Sequence, residues 1–199
     1  PELFGIHENL ITSPRLDNVT SAAACVEALL HGRRGEGINL CALLDNEEIG
    51  SRSAMGANSM LLPSILEKIC QGLSLGREAV LSGMAGGFLF SADVSHGVHP
   101  NHPEANDITN NHYLGQGVAL KMSRSQSYAI DPENIAVAEG LCRKYQIPFK
   151  RFVTRSDKPG GSTLGPILSS LLNMPAVDVG VPILAMHSAR ETCAAADQE

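Results

Sequence analysis

The chain has 199 residues, 43% of them hydrophobic, enough for a real core in one domain or for a large piece of a longer protein. Its 21 acids against 15 Lys and Arg, with no basic run beyond two residues, argue against nucleic acid and anionic membrane as primary partners. With no Trp and only three Tyr it offers no obvious base-stacking platform, and no apolar segment approaches the roughly 18–20 residues of a membrane span. No signal-peptide pattern is read at the start, where Pro1-Glu2-Leu3 resembles an arbitrary cut. The five cysteines (Cys25, Cys41, Cys70, Cys142, Cys193) are widely spaced and form no CxxC pair, which predicts reduced core thiols in a cytoplasmic protein.

Taken in order, the chain alternates helix and strand. After a loop ending at Ser13-Pro14-Arg15, residues 17–31 place Val19, Ala22, Ala23, Val26, Leu29 and Leu30 on one helical face, and Gly32 stops the helix. The apolar run 38–44 predicts a buried strand, which ends in three acids, Asp45, Glu47 and Glu48. A helix follows over about 58–71, its start drawn toward 61 by Pro63. Gly86-Gly87 precede a strand over 88–92 that again ends in an acid, Asp93, and leads into a polar loop with four histidines. A short strand over 118–122, a helix from Pro132 to Tyr145, a strand over 149–154, a helix over 163–172 and a last strand over 176–179 complete the pattern. Such alternation predicts an α/β fold, a mostly parallel central sheet with helices on both faces, doubly wound.

Strands that stop at carboxylates are the usual ligand edge of an open α/β sheet. Asp17, Glu47-Glu48, Asp93 and His187 stand at junctions or ends of separate elements, and Asp, Glu and His are the ligand types of a borderline metal such as zinc. A carboxylate beside a ligand carboxylate can act as general base. Spacing alone does not make these groups converge, and a solvated turn accounts for Glu47-Glu48 equally well. Asp157 and Asp178 read as salt-bridged or capping acids, and His7, His31 and His112 as surface or loop histidines. His96, His99 and His102 sit at i, i+3, i+6, but Pro100 and Pro103 exclude a helical face and with it a separate zinc cluster. The run from Pro159 to Gly165 lacks the lysine of a phosphate-binding loop.

Five blocks resemble the signatures of the aspartyl aminopeptidase family of dinuclear zinc exopeptidases. They are Ser13-Pro14-Arg15-Leu16-Asp17-Asn18, Asp45 to Ser51, Ser91 to Asn101 (through Asp93, His96 and His99), Gly161 to Pro166 and Met186 to Glu191. The resemblance implies a zinc-exopeptidase-like (phosphorylase/hydrolase-like) fold. It makes Asp17 the carboxylate bridging two metals, with a cis Asp17–Asn18 peptide, and Glu47 the general base. Glu48 and His187 become the remaining ligands of one zinc and Asp93 a ligand of the other; cobalt or manganese could replace zinc. His99 would hydrogen-bond a ligand carboxylate. The family prefers peptides with an acidic N-terminal residue, and Lys121 matches its acid-recognising lysine; the other reading is an exposed lysine at a strand end. Tyr128, His96 and the Gly160–Ser162 backbone match the substrate cleft, with His96 a donor either to a developing oxyanion or to the substrate carboxylate.

Departures accompany the matches. The family's earlier His-x-Asp metal block and its inserted dimerisation domain have no counterpart here, and His7 is a poor substitute for the histidine. Ser127 stands where many members have arginine. The 199 residues therefore resemble the carboxyl-terminal part of a catalytic domain, weakly active or inactive by itself, from a homo-oligomeric cytoplasmic enzyme. The alternative is a noncatalytic binding or assembly module with an incomplete metal site.

Overall fold

The computed structural model describes residues 1–129 and 131–199. The first half holds β1 (Glu2–Phe4), β2 (Leu10–Ser13), α1 (Leu16–His31), α2 (Leu61–Gly72), α3 (Arg77–Ala85), β3 (Leu89–Ala92) and β4 (Ser95–His96). The second holds β5 (Val118–Met122), α4 (Pro132–Tyr145), β6 (Phe149–Val153), α5 (Leu164–Leu172), β7 (Ala176–Gly180), β8 (Pro182–Leu184), β9 (Glu191–Ala194) and α6 (Ala195–Gln198). Local chemistry accounts for several boundaries. Pro63 is tolerated because it lies in the first turn of α2. The Asp131 side chain caps α4 by accepting from Glu133 N–H, with Pro132 in the first turn and Gln146 closing the helix in the left-handed region.

The strands form two sheets. One has the order β3-β7-β5-β6, with β3/β7 and β5/β6 parallel and β5/β7 antiparallel. Successive side chains point to opposite faces, so Leu89 packs with α2 and α5 through Leu62, Leu168 and Leu172. On the other face Leu120 and Val177 pack against Ile135 and Ala138 of α4. The mostly parallel α/β sheet with helices on both faces is thus present. The second sheet, β1-β2-β9-β8-β4, is antiparallel except for β4/β8.

A single parallel ladder joins the two sheets. Beyond the β3/β7 pairing, Asp93 N donates to Val179 O, Ser95 N to Val181 O and Gly97 N to Ile183 O, at 2.8–2.9 Å. Asp93 therefore sits where two chain segments leave one sheet together and enter the other. Gly180 is required at this crossing, because a Cβ there would collide with the Asp93 carbonyl.

Several expectations need correction. Residues 38–44 form no strand: among the described residues nothing pairs with this run, and Ile38, Leu40 and Leu43 are exposed while Leu44 reaches the α2–α5 core. An apolar run becomes a strand only with a hydrogen-bonding neighbour. The α1 face carrying Val19, Val26, Leu29 and Leu30 is likewise exposed. The short elements β1, β2, β4, β8, β9 and α6 lie outside the predicted pattern, since segments of two to four residues are too brief for periodicity to register. The nine-residue α3 lies outside it too, with no buried residue to mark a face. His112 is buried, its Nε2 2.9 Å from Gly117 O, and is no surface residue. Asp178 is fully buried inside β7, whereas Asp157 pairs with Arg155 as expected. All five cysteines are free thiols.

Replacing Gly180 with Ala is expected to destabilise the protein by about 3 kcal/mol through the clash with Asp93. Urea unfolding measures this, and a loss no larger than that of a surface substitution would show that the crossing is loosely packed.

Candidate metal centre

Each acidic group is presented by a sharply bent segment. Asp17 follows β2, where Arg15 takes a left-handed conformation (φ 61°) and the Asp17–Asn18 peptide is cis. Asn18 Nδ2 then donates to Ala92 O at 3.0 Å, tying this corner to the end of β3. Glu47 and Glu48 open a 3-10 turn, Glu47–Ile49, preceded by a left-handed Asn46 and closed by Gly50 N–H to Glu47 O. Asn46 accepts from Ser53 Oγ at 2.5 Å and its N–H donates to Asp45 Oδ1 at 2.8 Å, so the turn is braced from both sides. His187 lies in the link from β8 to β9 at φ 66°, an uncommon conformation for a histidine that tertiary contacts must hold.

Asp17, Glu48 and His187 converge, with one ligand atom of each within 4.8 Å of the others. His187 Nε2 is 3.0 Å from Asp17 Oδ2 and 3.2 Å from Glu48 Oε2. Burial first, then the charges of Asp93 and Glu48, push Asp17 up to about 6, and His187 only partly offsets them. Burial followed by Asp93, Glu48 and Asp17 pushes Glu47 up to about 7, with Lys121 opposing. Four carboxylates crowd one place, and such crowding is relieved by protons or by a cation.

Two carboxylate oxygens and an imidazole nitrogen fit a borderline divalent ion such as zinc, so Asp17, Glu48 and His187 are the residues that would hold one. Asp93 stands beside them, but its Oδ2 accepts from Lys121 Nζ at 2.9 Å and its Oδ1 from Val94 N at 2.8 Å. Among the described residues no second group of three ligands exists.

Lys121 is 3% exposed, which overturns its reading as an exposed strand-end lysine. Its Nζ lies 5.4 Å from the centroid of the Tyr128 ring, which in turn meets Phe152 edge-on at 6.4 Å. Tyr128, Phe152, His96, Lys158, Gly160 and Gly161 line a cleft of about 330 Å³. Ser162 is exposed on the same loop. Although part of its side chain meets solvent, His96 is held below the usual histidine range, by desolvation first and then by the charges of Lys121 and His187. His99 does not touch a ligand carboxylate: its Nδ1 accepts from Asn101 N at 3.2 Å, and its ring lies 5.6 Å from His102. Neither His99, His102 nor His7 belongs to a metal-ligating group among the described residues.

Glu191 has no role assigned by sequence reasoning. Its buried carboxylate accepts from Asp17 N–H at 2.9 Å through Oε2 and from His187 N–H at 2.7 Å through Oε1. One side chain thus staples the backbones of two residues of the converging group, Asp17 and His187, 170 positions apart (187 − 17 = 170). The available signal was an acid heading a short apolar strand, where a solvated charge is out of place.

Residues 1–199 match the family model described as aminopeptidase I zinc metalloprotease (M18). A probable M18 family aminopeptidase 2 of Clostridium novyi is 41% identical over 195 residues, covering 98% of this chain and 45% of the relative. Aspartyl aminopeptidase 1 of Schizosaccharomyces pombe is 37% identical over 205 residues, covering 99% of this chain and 43% of the relative. The chain thus spans under half the length of these relatives. The solved mApe1 dodecamer of Saccharomyces cerevisiae superposes with a TM-score of 0.82 at 27% identity, covering 98% of this chain and 44% of that one.

Substituting Glu191 by Gln leaves at most one carbonyl acceptor for two N–H donors, one buried and one part-buried. The expected cost is about 1–3 kcal/mol of stability and roughly 10- to 100-fold weaker zinc binding in equilibrium dialysis; unchanged zinc affinity would show that the staple does not orient the ligands. Glu47→Gln tests the charge crowding. A carboxyl raised to about 7 in the folded state destabilises the fold as it ionises, between an unfolded value near 4.5 and 7. In chelator, Glu47→Gln should therefore stabilise the protein more at pH 8 than at pH 5, as measured by urea unfolding; an equal effect at both pH values would contradict the crowding.

Proposed function

The chain belongs to the aminopeptidase I zinc metalloprotease (M18) family, and from that membership we propose that it forms the zinc-binding part of an aminopeptidase that removes acidic residues from peptide N-termini. The observation that carries this reading is the convergence of Asp17, Glu48 and His187, with Glu47 beside them and a buried Lys121 behind.

Bound at this cluster, zinc supplies Lewis-acid polarisation of the scissile carbonyl. Glu47, raised to about 7, takes a proton from the attacking water onto a carboxylate oxygen and returns it to the leaving amine. A base poised near neutral pH can do both. Lys121 receives the acidic side chain of the first residue. One of its three N–H donors is committed to Asp93, and the others are free to meet a carboxylate. Tyr128 walls the lysine, and His96 donates to the substrate from the rim of the cleft. The backbone at Gly160 and Ser162 borders the peptide.

The 199 residues are read as one part of a peptidase catalytic domain, consistent with the 43–45% of the relatives' length they span. A second zinc would use Asp93 with Asp17 and a further ligand from outside this set. The whole protein is proposed to be a cytoplasmic homo-oligomer. The dodecameric yeast relative supports self-association, as does the amount of exposed apolar surface here. No described helix is long and apolar enough to cross a membrane.

Elemental analysis and hydrolysis of aspartyl, glutamyl and leucyl amides, on this chain and on the protein that carries it in full, test the reading. The expected result is two zinc ions per subunit and preferential turnover of acidic amides in the full protein. Glu47→Gln should lower that turnover about 100- to 10,000-fold, and the isolated chain should be weak or inactive. No metal and no turnover in either form would leave a noncatalytic module on a peptidase scaffold.

A further inference from the structure

Asp178 is a fully buried carboxylate in the middle of β7, and the sheet registers fix its neighbours. Ser91 of β3 is its parallel partner. The antiparallel register of β5 on β7, with Leu120 opposite Val179 and Ala119 opposite Gly180, continues to place Lys121 opposite Asp178. Directly opposed residues of a sheet share a face, so Ser91, Asp178 and Lys121 form one polar row beneath α5. From above, Gly165 in the first turn of α5 presses so closely that a Cβ there would collide with both Asp178 oxygens. Asp178 Oδ2 also accepts from Ala129 N–H at 2.5 Å, the residue after Tyr128. Thr163, which ends the Gly160–Ser162 loop, faces the same carboxylate. Asp178 Oδ1 and Thr163 Oγ1 are both buried without a hydrogen-bond partner.

A buried carboxylate this costly must be balanced by what it holds. Three elements of the cleft meet on it: the lysine strand, the Tyr128–Ala129 turn and the loop entering α5. Lys121 needs such support, because a flexible four-carbon stem aims its ammonium poorly by itself. Its direct partner, Asp93, also belongs to the acidic cluster and is shared with whatever cation sits there. Asp178 belongs to no such cluster: Lys121 acts on it as the nearby opposite charge across the sheet, while Ala129 N–H holds one of its oxygens.

We propose that Asp178 is a positioning residue for recognition of the acidic substrate side chain, fixing Lys121, the Tyr128–Ala129 turn and the Thr163 end of the glycine loop as one unit. The proposal rests on the reading of Lys121 as the acid-recognising cation. It assigns selectivity to a residue that contacts neither the metal ligands nor the substrate.

Two variants made in the full protein probe this from different elements. Asp178→Asn keeps the volume and one acceptor but removes the charge. Gly165→Ala keeps the charge but displaces it. In both, KM for an aspartyl amide should rise about tenfold, the scale of one lost buried polar contact, with kcat within about threefold. KM for a leucyl amide and the zinc content should stay unchanged. Equal losses on aspartyl and leucyl amides, or no change in either variant, would overturn the proposal and reduce Asp178 to a structural residue. Lys121→Met separates the two levels of inference. If it leaves the preference for aspartyl over leucyl amide intact, the lysine reading fails and the proposal with it. If it abolishes the preference while both other variants retain it, only the proposal fails.

Discussion

The site depends on one run of parallel pairing. Residues 89–97 travel beside 176–183 out of the four-stranded sheet and into the five-stranded one without losing their hydrogen bonds. A sheet normally ends where its partner strand ends. Here the pair continues, and the crossing point is held open by the missing Cβ of Gly180. That geometry puts Asp93 at the seam and sends β8 toward the turn bearing His187. It also lets β9 return against β2, so that Glu191 lies under both the Asp17 corner and the His187 turn. Side chains nearly the length of the chain apart, Asp17 and His187, are therefore brought together by ordinary strand register.

What is assembled there is electrostatically uphill in the absence of a cation. Burial first, and then the charges of Asp93 and Glu48, raise the proton affinity of Asp17 and Glu47. The scaffold opposes this with directed bonds: two backbone donors onto Glu191, Lys121 onto Asp93, and Val94 N–H onto the other Asp93 oxygen. None of these neutralises Glu48 or Asp17 in full. Electrostatic relief comes from protonation below neutral pH or from a divalent ion above it. The same crowding that makes the cluster hospitable to zinc sets Glu47 near 7, where it exchanges protons readily. The cluster's fit to a cation and the raised proton affinity of Glu47 are two consequences of one arrangement.

How much of this the sequence discloses depends on range. Strand 88–92 and its terminal Asp93, the start of α2 forced by Pro63, and α4 between Pro132 and Tyr145 were all legible, because each is settled by neighbours in the chain. The short blocks around Asp17, Glu47, Asp93 and His187 were legible as a family resemblance, and their convergence could not be read from spacing. The roles of Glu191 and Asp178 were hidden, since Glu191 depends on Asp17, 174 residues away, and Asp178 on Ala129, 49 residues away. Asp178 was misjudged for a physical reason. An acid near a predicted strand end is usually solvated, and only the register with Ser91 and Lys121 and the contact with Gly165 reveal that this one is enclosed. His112 follows the same logic, its burial arising from the closure of its own loop on Gly117.

The failure at 38–44 is of another kind. Its pattern, and that of α1, are those of buried elements, yet Val19, Leu29, Leu30, Ile38, Leu40 and Leu43 are exposed among the described residues. Apolar periodicity records the environment under which a sequence was shaped, and burial of each such side chain is worth about 1.5–3 kcal/mol when a partner surface supplies it. Here α1 begins at the Asp17 corner and the 38–44 run leads directly into Glu47 and Glu48, so both sit on the approach to the acidic cluster. The exposed face and two of the three converging side chains, Asp17 and Glu48, thus lie on the same two segments. Burial of this face and the geometry of the cluster are therefore coupled through α1 and the turn at 45–49.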